Sequence, residues 1–372
     1  MSLFSFAHSG GTNPDQVLSS CLGQLGQSLI HANTGFVYVT DAMADNLPRI
    51  LDQLKNHTGV EQWVGATGVG ICAIGQEYYD QPAMSVMLAN FDEETFRVLP
   101  LQSDSVEPFL QSKSAWLQKD GFHFGVLHGD PMYARTTEII EQLSEQVPGA
   151  FCVGALASTH DQNMIIEGQA LGGGVSGLFF SSDVPVVTGH TQGCQPIADK
   201  HTVTACERNV LIELDDRPAF DVFKEDIGEV LAKDLQQVAG YIFAGLPVRG
   251  SDTGDYLVRN LAGIDVDQGL VAIGDWIEVG DEIMFCRRDG NSARADMQQM
   301  LDDIKTRLPG EPLGALYYSC LGRGRYQFGD NSEELKLVQD TLGDIPLVGF
   351  FANGEIFHNR LYGYTGVLTV FC

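Results

Sequence analysis

The sequence predicts an α/β fold: repeated β-α-β-β units forming mixed sheets covered by helices, in two closely packed lobes. Three observations predict it. Apolar, β-branched runs alternate along the chain with segments of helical period, the order expected of an α/β body and not of separate helical and sheet domains. The 42 glycines among 372 residues, against a usual share of roughly 7%, cluster between apolar runs and mark tight strand ends. A Val-Gly step recurs after a helix at Val64-Gly65, Val153-Gly154 and Val348-Gly349, each followed by a further strand, which is the signature of an internal repeat.

Each element has a local reason. Phe4 to Ala7 is a short apolar segment. Asn13-Pro14-Asp15-Gln16 then combines an N-cap, a proline at the first helical position and a glutamine at the capping-box position. A helix from Pro14 to His31 follows, with Leu18, Leu22, Leu25 and Leu29 on one side. The first repeat is strand Gly35 to Thr40, helix Ala42 to Asn56, a glycine-rich strand Gln62 to Ile74 and strand Met84 to Leu88. The second is strand Phe122 to Leu127, helix Thr136 to Gln146, strand Phe151 to Ala157 and strand Val175 to Phe180. The third is strand Leu313 to Ser319, helix Ser332 to Leu342, strand Leu347 to Phe351 and strand Gly366 to Phe371. Between the second and third lies a different stretch. A strand Asn209 to Leu214, a helical region from Pro218 to about Ala239, short strands Tyr256 to Asn260, Gly269 to Ile273 and Asp281 to Arg287, and a helix from Asn291 to Leu308 suggest an antiparallel insert. The composition shift near Asp216 places the domain boundary there.

Charge and cysteine usage exclude several function classes. Forty-nine acids against 22 bases give a formal charge of -27, which disfavours phosphate backbones and anionic lipid. No nucleic acid partner and no membrane association are expected. The eight cysteines contain no C-x-x-C, so neither a zinc knuckle nor a redox dithiol is signalled. The nine histidines form no H-x-x-x-H, and no metal or other cofactor is expected. The N-terminal MSLFSFAHSGG has no basic region or long apolar core, and no window reaches eighteen apolar residues. A soluble cytoplasmic protein is the expectation.

Few motifs carry chemistry. Gly172 to Gly177 spells G-x-G-x-x-G, but an apolar strand follows instead of the helix a pyrophosphate needs, so these read as hairpin glycines. Ser319-Cys320-Leu321-Gly322-Arg323-Gly324-Arg325 sets a thiol and two arginines just past a strand end, where ligands bind in open α/β sheets and where an arginine fork can grip a carboxylate or phosphate. A surface loop with an unreactive thiol is the competing interpretation. Cys194, in Gln192-Gly193-Cys194-Gln195-Pro196, follows His190; a Cys-His pair could activate a thiolate, but no nucleophile signature surrounds it and packing is the plainer use. Asp41, Asp130 and Glu355 follow strand ends, as catalytic acids and turn caps both do.

TQGCQPI (Thr191 to Ile197), NVLIELDDRPA (Asn209 to Ala219), YYSCLGRG (Tyr317 to Gly324) and GFFANGEI followed by GYTGVL (Gly349 to Leu368) together resemble the FIST family, whose modules are described as small-ligand-binding sensory domains of signal-transduction proteins. The resemblance spans essentially the whole chain. It implies a FIST N-type domain over 1–216, holding two repeats and the N-terminal helix, and a FIST C-type domain over 217–372, holding the insert and the third repeat. The family's marked positions fall on Gly193, Cys194 and Pro196, on Cys320, Gly322, Arg323 and Gly324, and on Phe351, Asn353, Gly354, Glu355, Tyr364 and Thr365. Thr191 stands where the family's first motif opens with serine. Relatives often add a kinase, cyclase or F-box segment, for which 372 residues leave no room, so the resemblance implies either a separate signalling partner protein or a stand-alone binder.

The resulting expectation is a sensory protein that binds an amino acid or similar small carboxylate in a pocket between the two lobes. Its ligand-binding residues would be Cys194, Cys320, Arg323, Arg325, Phe351, Asn353, Glu355 and Tyr364. Arg323 or Arg325 would hold a carboxylate, Glu355 or Asp330 would receive an amine, and Phe350, Phe351 and Tyr364 would wall the site. No catalytic residue is assigned. A thiol-dependent enzyme using Cys194 or Cys320, and a protein-interaction adaptor, are the alternatives.

Overall fold

The computed structural model describes residues 4–26, 31–119, 121–160, 163–232, 238, 240–248 and 256–372. The fold is mixed α/β, and local chemistry accounts for its elements. Asn13 Oδ1 accepts the N–H groups of Asp15 and Gln16 at 2.8 and 3.3 Å, opening helix Pro14–Leu25; part of its expected extension to His31 lies outside the described residues. Helix Leu47–Thr58 buries Leu47, Ile50, Leu51 and Leu54 and ends on left-handed Gly59. Its expected first turn is instead a 3-10 turn, Asp41–Asn46, because Pro48 cannot donate to the preceding turn and crowds it.

The three repeats are real and they are interlocked. In each, the first two strands are parallel and the last returns antiparallel beside the first: Thr34–Thr40, Gln62–Gly68 and Ala83–Ala89; His123–Gly129, Ala150–Leu156 and Val175–Ser181; Gly314–Cys320, Leu347–Ala352 and Thr365–Phe371. A leading strand, Phe4–Gly10, Phe96–Gln102 or Val186–Gln192, extends each sheet on one side. The other side is completed by a hairpin from a different repeat. Ile165–Glu167 with Ala170–Leu171 caps the first sheet, Glu355–His358 with Arg360–Tyr362 the second, and Gly70–Ala73 with Gln76–Tyr79 the third. Three six-stranded sheets are thereby linked in a ring. The expected single strand Gln62 to Ile74 is two strands in two sheets, parting at Val69.

The Val-Gly step marks one geometric position. Gly65, Gly154 and Gly349 lie opposite Val37, Leu127 and Tyr317 in the parallel pairs. A Cβ on each would sit 1.8, 1.8 and 1.7 Å from the facing residue's carbonyl oxygen, so only glycine fits. One residue further along the first strands, Tyr38, His128 and Tyr318 occupy the equivalent position in the three repeats. They meet in a common core: Tyr38 Oη is 3.0 Å from His128 Nε2 and 2.8 Å from Tyr318 Oη. Burial keeps His128 neutral, lowering it to about 3, and pushes both tyrosines up. Phe350 stacks on Tyr38 with ring centroids 5.3 Å apart, where the other repeats have Ala66 and Ala155.

The strand alternation sends Phe36 and Tyr38 to this shared core and Val37 and Val39 to the opposite face, against the helices. The second repeat's outer face packs on helices Glu107–Leu117 and Thr136–Gln146.

Two compact units result, Met1–Thr191 with Arg294–Cys372, and Gln192–Ala293. These units follow packing, because the hairpin exchange binds the third repeat to the first two. The second unit is an antiparallel sheet in which Ile242–Pro247 pairs with Glu282–Arg288 and closes the strand path. Helix Ala219–Ala232 packs on it through Ala219, Phe220, Val222, Phe223 and Ile227.

Candidate functional site

The loop after strand Gly314–Cys320 is organised by one buried carboxylate. Tyr317 and Ser319, two apart on the strand, share a face, and both donate to Glu334 on helix Glu333–Leu342: Tyr317 Oη to Oε1 at 2.7 Å, Ser319 Oγ to both oxygens at 3.1 Å. Gly324 N–H adds 2.7 Å to Oε2, and Arg323 Nε 2.8 Å to Oε1. Arg323 and Glu334 are both 0% exposed. A buried ion pair survives only when its remaining atoms are satisfied. Glu334 meets that condition and Arg323 does not. Its guanidinium lies 5.0 Å over the Phe328 ring, Nη2 reaches only the Met297 sulfur, and Nη1 is buried without a partner. Burial works against its charge most strongly, but Glu334 and Tyr317 together outweigh it and raise its pKa.

Beside it sits a second buried carboxyl. Glu355 is 0% exposed; Oε2 accepts Thr365 Oγ1 at 2.7 Å and Thr365 N–H at 3.3 Å, while Oε1 has no partner. Burial pushes its pKa up to about 8, with Thr365 and the Arg323 charge pulling the other way. At neutral pH this carboxyl is mostly protonated. The Cys320 thiol is pushed well above its ordinary range, first by burial and then by Glu355. That is the reverse of what activates a nucleophile.

Glycine is a spatial necessity at 324 and fits closely at 322. A Cβ on Gly322 would come 3.1 Å from the Tyr364 ring, and Gly324, at φ +51°, would place one 1.9 Å from Tyr79 Oη and 2.7 Å from Phe351. Tyr79 belongs to the first repeat's hairpin, donates to Glu77 Oε2 at 2.8 Å, and lies under Arg325, whose guanidinium is 4.5 Å from its ring.

Of the expected residues, Cys320, Arg323, Glu355 and Tyr364 gather here. Phe351 is buried, its ring 4.7 Å from Tyr79. Arg325 is partly exposed and its charge is balanced by Asp80 at 2.6 Å. Asn353 and Asp330 are exposed, and Asn353 N–H donates to the Leu156 carbonyl at 3.1 Å. Phe350 belongs to the shared core. Cys194 lies in the second unit on strand Cys194–Pro196, where its carbonyl accepts the Tyr256 hydroxyl at 2.6 Å. Glu334, Tyr317, Ser319, Glu77 and Tyr79 were not expected. An acid in a first helical turn ordinarily reads as an exposed cap-box or dipole partner, which hid Glu334.

Elsewhere in the first unit, a pocket of about 510 Å³ is lined by Glu93, Arg97, Lys113 and Glu167 among others; Arg97 already donates to the Glu93 and Phe96 carbonyls at 2.6 Å. Among the described residues no group of His, Cys, Asp or Glu side chains could hold a metal ion, and no helix is long and apolar enough to cross a membrane.

Comparison with known proteins agrees with the motifs. Residues 33–217 match the FIST N domain and residues 219–358 the FIST C domain. An uncharacterised protein of Mycobacterium tuberculosis is 32% identical over 333 residues, covering 83% of each chain. Another, of Mycobacterium bovis, is 30% identical over 354 residues, covering 89% of this chain and 87% of its own. FIST domains are associated with sensory or ligand-binding functions.

Proposed function

We propose, for a chain that belongs to the FIST family through both its N and C modules, a small-ligand-binding sensory protein whose ligand is held beside the loop Cys320–Tyr326. The observation that carries this is Glu355. It pairs with Ala155 at the start of the third repeat's hairpin, at the position where the other hairpins place Ile165 opposite Ala66 and Ile71 opposite Phe350. The fold is satisfied there by a buried isoleucine, so a buried carboxyl is a requirement of something else. A buried polar atom without a partner costs about 1–3 kcal/mol. Of two such atoms, Arg323 Nη1 is suited to a ligand's carboxylate and Glu355 Oε1, once an approaching ammonium has drawn off its proton, to the ammonium, which favours an amino acid or similar small carboxylate. Signalling then passes to a separate partner in the cytoplasm.

The raised Cys320 thiol weighs against a thiol enzyme at this position. The test is a thermal-shift screen of amino acids and small carboxylates. A ligand at a hundred times its Kd adds about 2.7 kcal/mol, or about 3–5 °C at this size. Glu355→Gln is the control of choice, because Arg323→Ala would strand Glu334 and confound the result. A panel that shifts wild type and Glu355→Gln equally rejects this site.

A further inference from the structure

We infer that Glu77 and Tyr79, on the hairpin donated by the first repeat, are positioning residues of the candidate site, holding the loop Cys320–Tyr326 in shape from across the boundary between the FIST N and FIST C modules. The inference rests on the ligand-site reading of that loop, but its test needs no ligand.

The strand pairings bring the two together. Ile71, Cys72 and Ala73 lie opposite Phe350, Gly349 and Val348, and Gln76–Tyr79 forms the next strand outward. Glu77 N–H donates to Ser332 Oγ at 2.8 Å. Ser332 precedes the helix bearing Glu334, is itself left-handed at φ +59°, and makes no cap bond with its own side chain. The Glu77 carboxyl instead faces the N–H groups of Glu334 and Leu335. It thus lies at the uncapped end of that helix, where a negative or polar oxygen is favoured. Its Oε1 is buried without a partner.

Tyr79 completes the clamp. Its hydroxyl donates to Glu77 Oε2 at 2.8 Å and lies 3.4 Å from Arg325 N. Its ring packs on Phe351 and under Arg325, and its oxygen fills the space a Cβ on Gly324 would need. Gly324 and Arg325 directly follow Arg323. The loop is therefore held between Glu334 of its own repeat and Glu77 and Tyr79 of the first.

The experiment is iodoacetamide labelling of the full chain under native conditions, with rates read for each cysteine by peptide mass spectrometry. Tyr79→Phe should speed Cys320 labelling about fivefold, the effect of one lost hydrogen bond on a local opening. Cys152, buried in the second repeat's sheet, should be unchanged. Tyr78→Phe, which loses a bond to His8 at 2.7 Å instead, should leave Cys320 unchanged. Carboxyl carbon NMR supplies a readout that packing alone would not move: without the Tyr79 donor, Glu77 should titrate above its value of about 7. Equal acceleration at all buried cysteines, no acceleration at Cys320, or an unmoved Glu77 titration would overturn the inference. A failed ligand screen with these results intact would overturn only the functional proposal.

Discussion

Replacing Glu355 with glutamine should make the protein more stable at high pH and leave it nearly unchanged at low pH. Glu355 keeps one carboxyl oxygen on Thr365 and buries the other without a partner, and glutamine reproduces the acceptor without the charge. Burial raises the group from 4.5 to about 8, so between those values the folded state holds a proton that the unfolded state has lost. Stability then falls as pH rises through this window, at up to about 1.4 kcal/mol per pH unit. Across the window this amounts to about 3–5 kcal/mol. Urea unfolding of wild type and Glu355→Gln from pH 5 to pH 9 measures the difference directly. Glu77, raised to about 7, contributes in the same direction to both proteins and cancels. The two curves should converge near pH 5 and diverge toward pH 9. A gap that does not vary with pH would refute the buried, proton-holding carboxyl. A gap of opposite sign would mean that Glu355 is ionised and stabilised by the Arg323 charge.

Three further perturbations test the frame around it. Gly349→Ala would drive a Cβ to 1.7 Å from the Tyr317 carbonyl and should cost about 4 kcal/mol or more, visible as lost soluble yield or a collapsed melting transition. Glu334→Gln leaves the Arg323 charge buried and should cost about 3–5 kcal/mol; in a denaturation double-mutant cycle, Arg323→Met should recover much of it. Tyr38→Phe removes the hydroxyl shared with His128 and Tyr318 and should cost about 1–3 kcal/mol, with no change in Cys320 labelling.

The repeat was legible in the sequence because its cause is steric and local. A glycine pressed against a carbonyl leaves a fixed mark, and Val64-Gly65, Val153-Gly154 and Val348-Gly349 are that mark. The helix Thr136–Gln146 was legible for the same kind of reason, since Ile139, Ile140 and Leu143 recur at helical spacing and are buried. What could not be read is the exchange of hairpins. Ile165–Glu167 and Arg360–Tyr362 are too short for periodicity to register, and the sheet a hairpin joins is decided by pairings between distant residues. The same limit applies to the site. Cys320, Arg323 and Glu355 stand in motifs, whereas Glu77 and Tyr79 enter only because a hairpin crosses to another sheet.

That crossing also suggests how a binding site arises on a ring of near-equivalent units. At the ends of the first strands, Thr40, Asp130 and Cys320 occupy one position, two residues beyond Tyr38, His128 and Tyr318. Thr40 is committed to its own loop, its hydroxyl donating to the Gln81 carbonyl at 2.8 Å and accepting Ala83 N–H at 2.9 Å. Asp130 is committed likewise, accepting Met132 and Gly173 N–H at 2.9 Å each. Cys320 offers a weaker sulfur acceptor, which the Gly322 and Tyr364 N–H groups approach, and the space around it is filled by Tyr364, Glu355 and the arginine loop. Two repeats therefore use their strand ends to close turns. The third closes a turn through the Cys320 carbonyl, which accepts Arg323 N–H at 2.8 Å, adds Glu334 and a hairpin from the first to hold it, and alone places Glu355 where its counterparts have isoleucine. A group that weakens the fold at one of three equivalent positions is explained by function more readily than by folding, and it makes the third repeat the one whose chemistry is worth assaying.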